Sequence, residues 1–293
     1  MQDRLLWAWP WRDALQINFV KINPSGNTTI LILDPLPRDI YPAVASRVMK
    51  PSCLSAEQVG FVEPATTAGA LGRLQMMGGE FCGNASRGFA AWLTEQRDPG
   101  IHFVEGLSTV EVPIEVSGHD GVLQARVSIE SSQRRIYSVA ISVPVPHWMK
   151  QVVYGEGQLR YTLVGFEGIV HAVVWNLPGS EDRFHSIRTQ IEKEVGEVEA
   201  LGVMFYQEET QFLTPIVYVP RVGSLVWESS CGSGSVAVAA ALADRDRNSV
   251  TALKLFQPGG MVQVSAEWKA RVTEAQISGE VSIEAQGVVY VDL

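Results

Sequence analysis

The chain has 293 residues, long enough for two ordinary domains, and its 46% hydrophobic and 19% charged residues exclude a disordered chain. A formal charge of −9 with a pI near 5.1 argues against a nucleic-acid or phosphate-rich partner, which requires clustered Lys and Arg. A small-molecule substrate is expected instead.

The stretch Met1 to Phe19 is broken by Asp3, Arg4, Pro10, Arg12 and Asp13, so no signal-type apolar core forms, and no segment reaches the length of a spanning helix. A cytoplasmic protein without a membrane partner is expected, its three cysteines reduced. Their odd number and wide spacing match no zinc pattern, and no lysine stands in a recognisable pyridoxal setting. Neither a metal nor a cofactor is expected.

Leu15 to Ile22 and Thr28 to Leu33 read as strands around the polar turn Asn23-Pro24-Ser25-Gly26-Asn27. Asn27 is a turn-former by default and a ligand-gripping amide as the functional alternative. Asp39 to Met49 has helical apolar spacing, Cys53 lies in the following loop, and Glu57 to Val62 reads as a strand. Gly78 to Ser86 then forms a glycine-rich turn around Cys82 and runs into a helix over Arg87 to Glu95. Between Phe103 and Val143 the alternation predicts strands at Val110 to Val116, Leu123 to Ile129 and Tyr137 to Val143, in a twisted antiparallel sheet.

Pro144-Val145-Pro146 stiffens the next stretch, and a domain boundary is expected near 135 to 155. Leu163 to Trp175 is β-type and carries His171, by default a satisfied core histidine. Arg183 to Val195 reads as a helix and Gly202 to Tyr206 as a strand. Trp227 to Ser235 sets Cys231 in a Gly/Ser turn before the alanine-rich helix Val236 to Ala243. Thr251 to Phe256 and Met261 to Ala266 read as a hairpin about Gln257-Pro258-Gly259-Gly260, and Val288 to Leu293 as a closing strand.

The two cysteine turns superpose without gaps. An offset of 149 positions matches Cys82 with Cys231, Gly83 with Gly232, Ser86 with Ser235, Ala90 with Ala239, Ala91 with Ala240 and Leu93 with Leu242. Asn27 with His171 and Gly60 with Gly202 recur at similar offsets of 144 and 142, so a duplicated architecture is expected. A cysteine at a helix start lies among unpaired N–H groups and at the positive end of the helix dipole, which gathers a carboxylate and gives the sulfur thiolate character. Two such thiols facing each other across a cleft suit an amino acid: one removes the Cα proton and the other protonates the opposite face.

The turns around Cys82 and Cys231, with Gln257-Pro258-Gly259-Gly260 after the second helix, resemble the diaminopimelate epimerase superfamily of cofactor-independent two-cysteine racemases. Asn23 to Asn27, Glu57 to Phe61, Gly79 to Ala85 and Trp227 to Gly234 resemble its histidine racemase branch, which serves staphylopine-type opine metallophore biosynthesis. The resemblance implies an α+β fold of two pseudo-symmetric lobes, each a curved, mostly antiparallel sheet around a central helix. The lobes are expected at 13–140 and 141–282, with 283–293 a candidate to complete the first, in a homodimer.

By the same resemblance Cys82 and Cys231 are the acid/base pair, with Gly83, Asn84, Gly232, Ser233, Gly234 and Ser235 around the carboxylate. Asn27, Glu57, His171 and Glu228 line the pocket. The diaminopimelate enzymes carry Glu-Arg-Gly shortly before the second cysteine where this chain has Arg221 to Glu228, which favours another amino acid, histidine first. Diaminopimelate or a different amino acid is the alternative substrate. A non-catalytic amino-acid-binding protein and a dinucleotide site at Gly232-x-Gly234-x-x-Ala237 are the readings of a different class.

Overall fold

The computed structural model describes residues 14–97, 101, 109–154, 159–220 and 223–293. The leader before Ala14, the start of the expected sheet before Thr109, and Arg221-Val222 lie outside the described residues.

The first half opens with the hairpin Leu15–Pro24 (β1) and Thr29–Ile32 (β2), turned at Gly26, whose φ is 92° and whose N–H donates to Asn23 Oδ1 at 2.7 Å. Helix Tyr41–Val48 (α1) carries the chain across to Gln58–Glu63 (β3), parallel to β2, and Arg73–Met76 (β4) returns antiparallel. Helix Gly83–Glu95 (α2) leads to Thr109–Val116 (β5), parallel to β4, and the antiparallel strands Leu123–Ser131 (β6) and Ile136–Ser142 (β7) follow.

After Trp148–Tyr154 (β8) the same series recurs. Leu159–Gly165 (β9) and Ile169–Trp175 (β10) form the hairpin, and helix Glu181–Val195 (α3) crosses to Ala200–Gln207 (β11), parallel to β10. Ser180 caps α3 by accepting from Arg183 N, Glu181 and Asp182 sit on its positive end, and Gly196 ends it at φ 78°. Phe212–Val219 (β12) returns, with Ser224–Trp227 (β13) beside it, and helix Gly232–Asp246 (α4) leads to Val250–Gln257 (β14), parallel to β12. Gly260–Trp268 (β15) completes the hairpin read from the sequence.

The last strand differs from expectation. A strand was expected over Val288 to Leu293, whereas Val272–Val291 (β16) is one run of 20 residues. Its start pairs with β15, its middle (Gln276 to Ser282) with β7, and Val281 to Val291 with β1. It therefore joins the two halves into one sheet, and the expected division at 140/141 falls inside β7. Strand β16 is hidden in sequence because Gly279 and the alternating Glu, Ser and Gln residues mask its period-two burial.

The fold is a sheet-rich α+β one. Helix α2 packs on β1, β5, β6, β7 and β16, and α4 on β9, β10, β11, β14, β15 and β16. Both are enclosed by sheet, which explains why α4 is apolar all round, Val236 to Ala243 being buried without a break. Their side chains share one apolar core, whereas α1 and α3 cover the outer sheet faces through separate clusters. Among the described residues no helix is long and apolar enough to cross a membrane.

Candidate active site

Each of the paired cysteines is the N-cap residue of an enclosed helix. Cys82 Sγ accepts from Ala85 N at 3.4 Å at the start of α2, and Cys231 Sγ accepts from Gly234 N at 3.3 Å at the start of α4. Behind them Ser86 Oγ donates to the Cys82 carbonyl and Ser235 Oγ to the Cys231 carbonyl, both at 2.7 Å. The matched serines of the sequence thus do the same job twice: each closes the first helical turn.

The two helix starts meet. Asn84 Nδ2 in α2 donates to the Ser230 carbonyl just before Cys231 at 3.3 Å. Ile277 of β16 lies under both turns, since a Cβ at Gly83 would stand 2.7 Å from its Cδ1 and one at Gly232 3.3 Å from it. A side chain at Gly83 would have to displace the Ile277 methyl, and one at Gly232 would press on it. Arg87, fully buried, fixes Asn84 by donating from Nη2 to its Oδ1 at 2.8 Å, and it also reaches Ser25 Oγ at 3.4 Å. Two positive helix ends, reinforced by this buried guanidinium, converge where a carboxylate would sit. Gly234 N and Ser235 N are spent on Cys231, which leaves Gly232 and Ser233 as the first-turn donors on that side.

Different side chains surround each sulfur. Cys82 Sγ donates to Gln58 Oε1 at 2.9 Å, Gln58 Nε2 donates to Asn27 Oδ1, and Asn27 Nδ2 donates to Glu57 Oε2 at 2.7 Å. Cys231 Sγ lies 3.6 Å from Ser233 Oγ, and the Glu228 carboxyl three residues before it raises its thiol. Ser233 Oγ is in turn 2.9 Å from Nε2 of the fully buried His171. Gln257 Oε1 accepts from Cys231 N at 2.8 Å, and its Nε2 donates to Ser235 Oγ at 3.0 Å, tying the α4 start to the hairpin turn.

Electrostatics correct one expectation. The helix ends do lower both thiols, but burial outweighs them: it pushes Cys82 up to about 12, with Glu80 and Glu228 adding to the rise. Cys231 is raised well above the ordinary thiol value by burial and then by Glu228. Glu228 itself is pushed up to about 7 by burial, opposed by the Cys231 hydrogen bond and helped by Glu57. His171 is pushed down to about 3 by burial and stands neutral.

Of the residues expected at the site, Asn27, Glu57, Gly83, Asn84, Glu228 and Gly232 to Ser235 gather with the two thiols. His171 stands one layer back, behind Ser233. Cys53 lies with the outer cluster around α1. Gln58, Arg87 and Gln257 escaped the sequence reading as site residues. Gln257 had a local signal, its place in the Gln-Pro-Gly-Gly turn, while Gln58 and Arg87 had none beyond adjacency to Glu57 and to the Cys82 turn. Among the described residues no three or more His, Cys, Asp and Glu side chains converge as a metal site.

A family model described as the histidine racemase CntK N-terminal domain matches residues 16–290. A histidine racemase of Fusobacterium nucleatum subsp. nucleatum is 33% identical over 96% of this chain and 98% of its own length. In three dimensions the chain is similar to a probable proline racemase from Agrobacterium radiobacter K84, with a TM-score of 0.67 at 14% identity, covering 94% of this chain and 93% of that one. It is also similar to a phenazine biosynthesis protein of the PhzF family from Bacillus anthracis, with a TM-score of 0.64 at 14% identity, over 94% and 100% of the two chains. The residues that carry the twin turns lie within the matched span, and the chain belongs to the histidine racemase family of amino-acid racemases, which are isomerases.

Proposed function

We propose that the protein interconverts L- and D-histidine by a two-base mechanism in which Cys82 and Cys231 address opposite faces of Cα. The observation that carries this reading is the pair of thiols capping two helices whose first turns close on the same Ile277 side chain. The substrate carboxylate lies on the two helix starts, near Asn84. Negative charge that spreads onto that carboxylate as the Cα proton leaves is opposed by fixed N–H dipoles in a largely dry site. One sulfur takes the proton, and the other supplies one from the far side.

Glu228 is the acceptor for the imidazole N–H or the ammonium group: it is half-buried, stands three residues before Cys231, and has a carboxyl pushed up to about 7. Glu57 supports it from the other half. A buried acceptor left without its donor discriminates strongly against an apolar side chain. The two halves act as pseudo-symmetric lobes of a diaminopimelate epimerase-like fold, divided about the cleft and bridged by β16. The enzyme works as a cytoplasmic homodimer and supplies D-histidine for opine metallophore assembly.

The test is proton NMR of an amino-acid panel in deuterated water. Loss of the Cα proton signal is expected with histidine, far slower loss with leucine or phenylalanine, and little or none with diaminopimelate. Faster exchange of diaminopimelate than of histidine would overturn the substrate while leaving the two-thiol chemistry standing. Ligand binding without any exchange would overturn the enzyme reading.

A further inference from the structure

Arg87 is a buried cation that no carboxylate balances. Its Nη2 divides its hydrogens between Asn84 Oδ1 at 2.8 Å and Ser25 Oγ at 3.4 Å, and among the described residues Nε and Nη1 have no hydrogen-bond partner. Strand β16 closes over the guanidinium, since a Cβ at Gly279 would stand 2.8 Å from Nη1 and 2.9 Å from Ser25 Oγ. Burial lowers its ionisation to about 10, which leaves it charged at neutral pH. A charge withdrawn from water and left without an opposite one is costly. Its position behind the two helix starts is accounted for by an anion that comes with the substrate.

A guanidinium only donates. It therefore holds Asn84 with Oδ1 turned to itself and Nδ2 turned away, where one hydrogen goes to the Ser230 carbonyl at 3.3 Å and a second remains to be offered. Turning the amide over would set an NH2 against a cation and a carbonyl against a carbonyl. The same Oδ1 lies 3.6 Å from where a Cβ of Gly232 would stand, so Arg87 and Asn84 together back the starts of both α2 and α4.

Resting on the two-thiol reading and its carboxylate at the helix starts, we propose that Arg87 is a positioning residue for the substrate's carboxylate: it orients the Asn84 amide that donates to that group and supplies, from behind the amide, the opposite charge. Enclosure keeps its field from being screened as a surface charge would be. The effect grows along the reaction, because the C–H electron pair moves into the carboxylate as the Cα proton leaves while the cation stays in place. An amino alcohol with the same imidazole and amino groups gains nothing from it.

The experiment compares two ligands that differ at that group alone. Racemic histidine, whose composition the enzyme leaves unchanged, and histidinol, in which a hydroxymethyl replaces the carboxylate, are each titrated by calorimetry into the parent, Arg87→Lys and Arg87→Met. Cα deuterium exchange of histidine is followed in the same three proteins. The parent is expected to prefer histidine by about tenfold or more, and Arg87→Met to lower that preference about tenfold while histidinol binds within about threefold of the parent. Exchange should fall by more than affinity does, since the transition state carries more charge on the carboxylate. Arg87→Lys keeps the charge and should retain most of the preference. A residue that merely supports the fold would weaken both ligands alike, so equal losses in Arg87→Met, or an unchanged preference, would overturn the proposal. A folded Arg87→Lys protein without the preference overturns it too, even where Arg87→Met does not fold. A parent that binds histidine and exchanges no Cα proton would instead overturn the two-thiol reading on which it rests.

Discussion

Asn84 joins the stability of the site to its chemistry, and two substitutions there separate the two. Its Oδ1 is the closest partner of the buried Arg87 guanidinium, at 2.8 Å, and its Nδ2 holds the Ser230 carbonyl at 3.3 Å. Asn84→Ala loses a charge-assisted hydrogen bond, worth about 1.5–3 kcal/mol, and a long neutral one near the low end of about 0.5 kcal/mol. The loss is about 3 kcal/mol, or roughly 6 °C in Tm at about 2 °C per kcal/mol for a chain of this size. Asn84→Asp keeps the acceptor for Arg87 and pairs its charge, so most of that stability stays. It also sets a carboxylate at the helix start proposed to hold the substrate's carboxylate, and a loss of about 100-fold or more in kcat/KM is expected. Thermal unfolding by circular dichroism and Cα deuterium exchange measure the two effects. An Asn84→Ala protein that melts within about 1 °C of the parent, or an Asn84→Asp protein as unstable as Asn84→Ala, would refute the coupling to Arg87. Arg87→Met combined with Asn84→Leu removes both partners and should be less destabilised than the sum of the single changes.

Cys82→Ala and Cys231→Ala should each abolish racemisation while Cys53→Ala leaves it intact, measured by chiral chromatography of the product; activity in either of the first two contradicts the mechanism. Glu228, raised from 4.5 to about 7 in the folded protein, binds a proton there that the unfolded chain has already released, so stability falls as pH rises across that window. Glu228→Gln should flatten this slope in urea titrations and remove an activity limb that rises through about pH 7 in the parent. His171, lowered from 6.5 to about 3, acts in the opposite sense: stability falls as pH drops through that window, and His171→Gln should remove the fall. Activity should survive dialysis against a chelator and fall with thiol alkylation; loss restored by added metal would contradict a cofactor-independent site.

The cysteine turns were legible in sequence because their information is local. A small residue at N1, an N-capping side chain and a serine four residues on are what a helix start requires, and both turns show it. Elements with strong apolar alternation, such as β5, β6 and β10, were equally readable. Strands β4, β8, β12 and β13 were not: β4 and β13 are four residues each, β8 is exposed at Val153, and β12 carries Pro215. The partners behind each thiol were out of reach for a different reason. Gln58 lies 24 positions from Cys82 and Gln257 26 from Cys231, contacts set by strand register and crossover handedness rather than by any local pattern.

The two cysteine turns are alike in backbone and unlike in what stands behind them. The backbone of the two turns is nearly the same, because capping and close approach to Ile277 leave little freedom at Cys82-Gly83 and Cys231-Gly232. The side chains one layer behind are free to differ, and they do. Arg87 stands in α2 where the superposition puts Val236 in α4, so one helix start is backed by a buried cation and the other by an apolar residue. Asn27, in the turn before β2, orients an amide chain ending on Cys82, whereas His171, inside β10, stands behind a hydroxyl beside Cys231. Divergence thus lies in the layer behind the turns, while the turns themselves keep the same capping pattern.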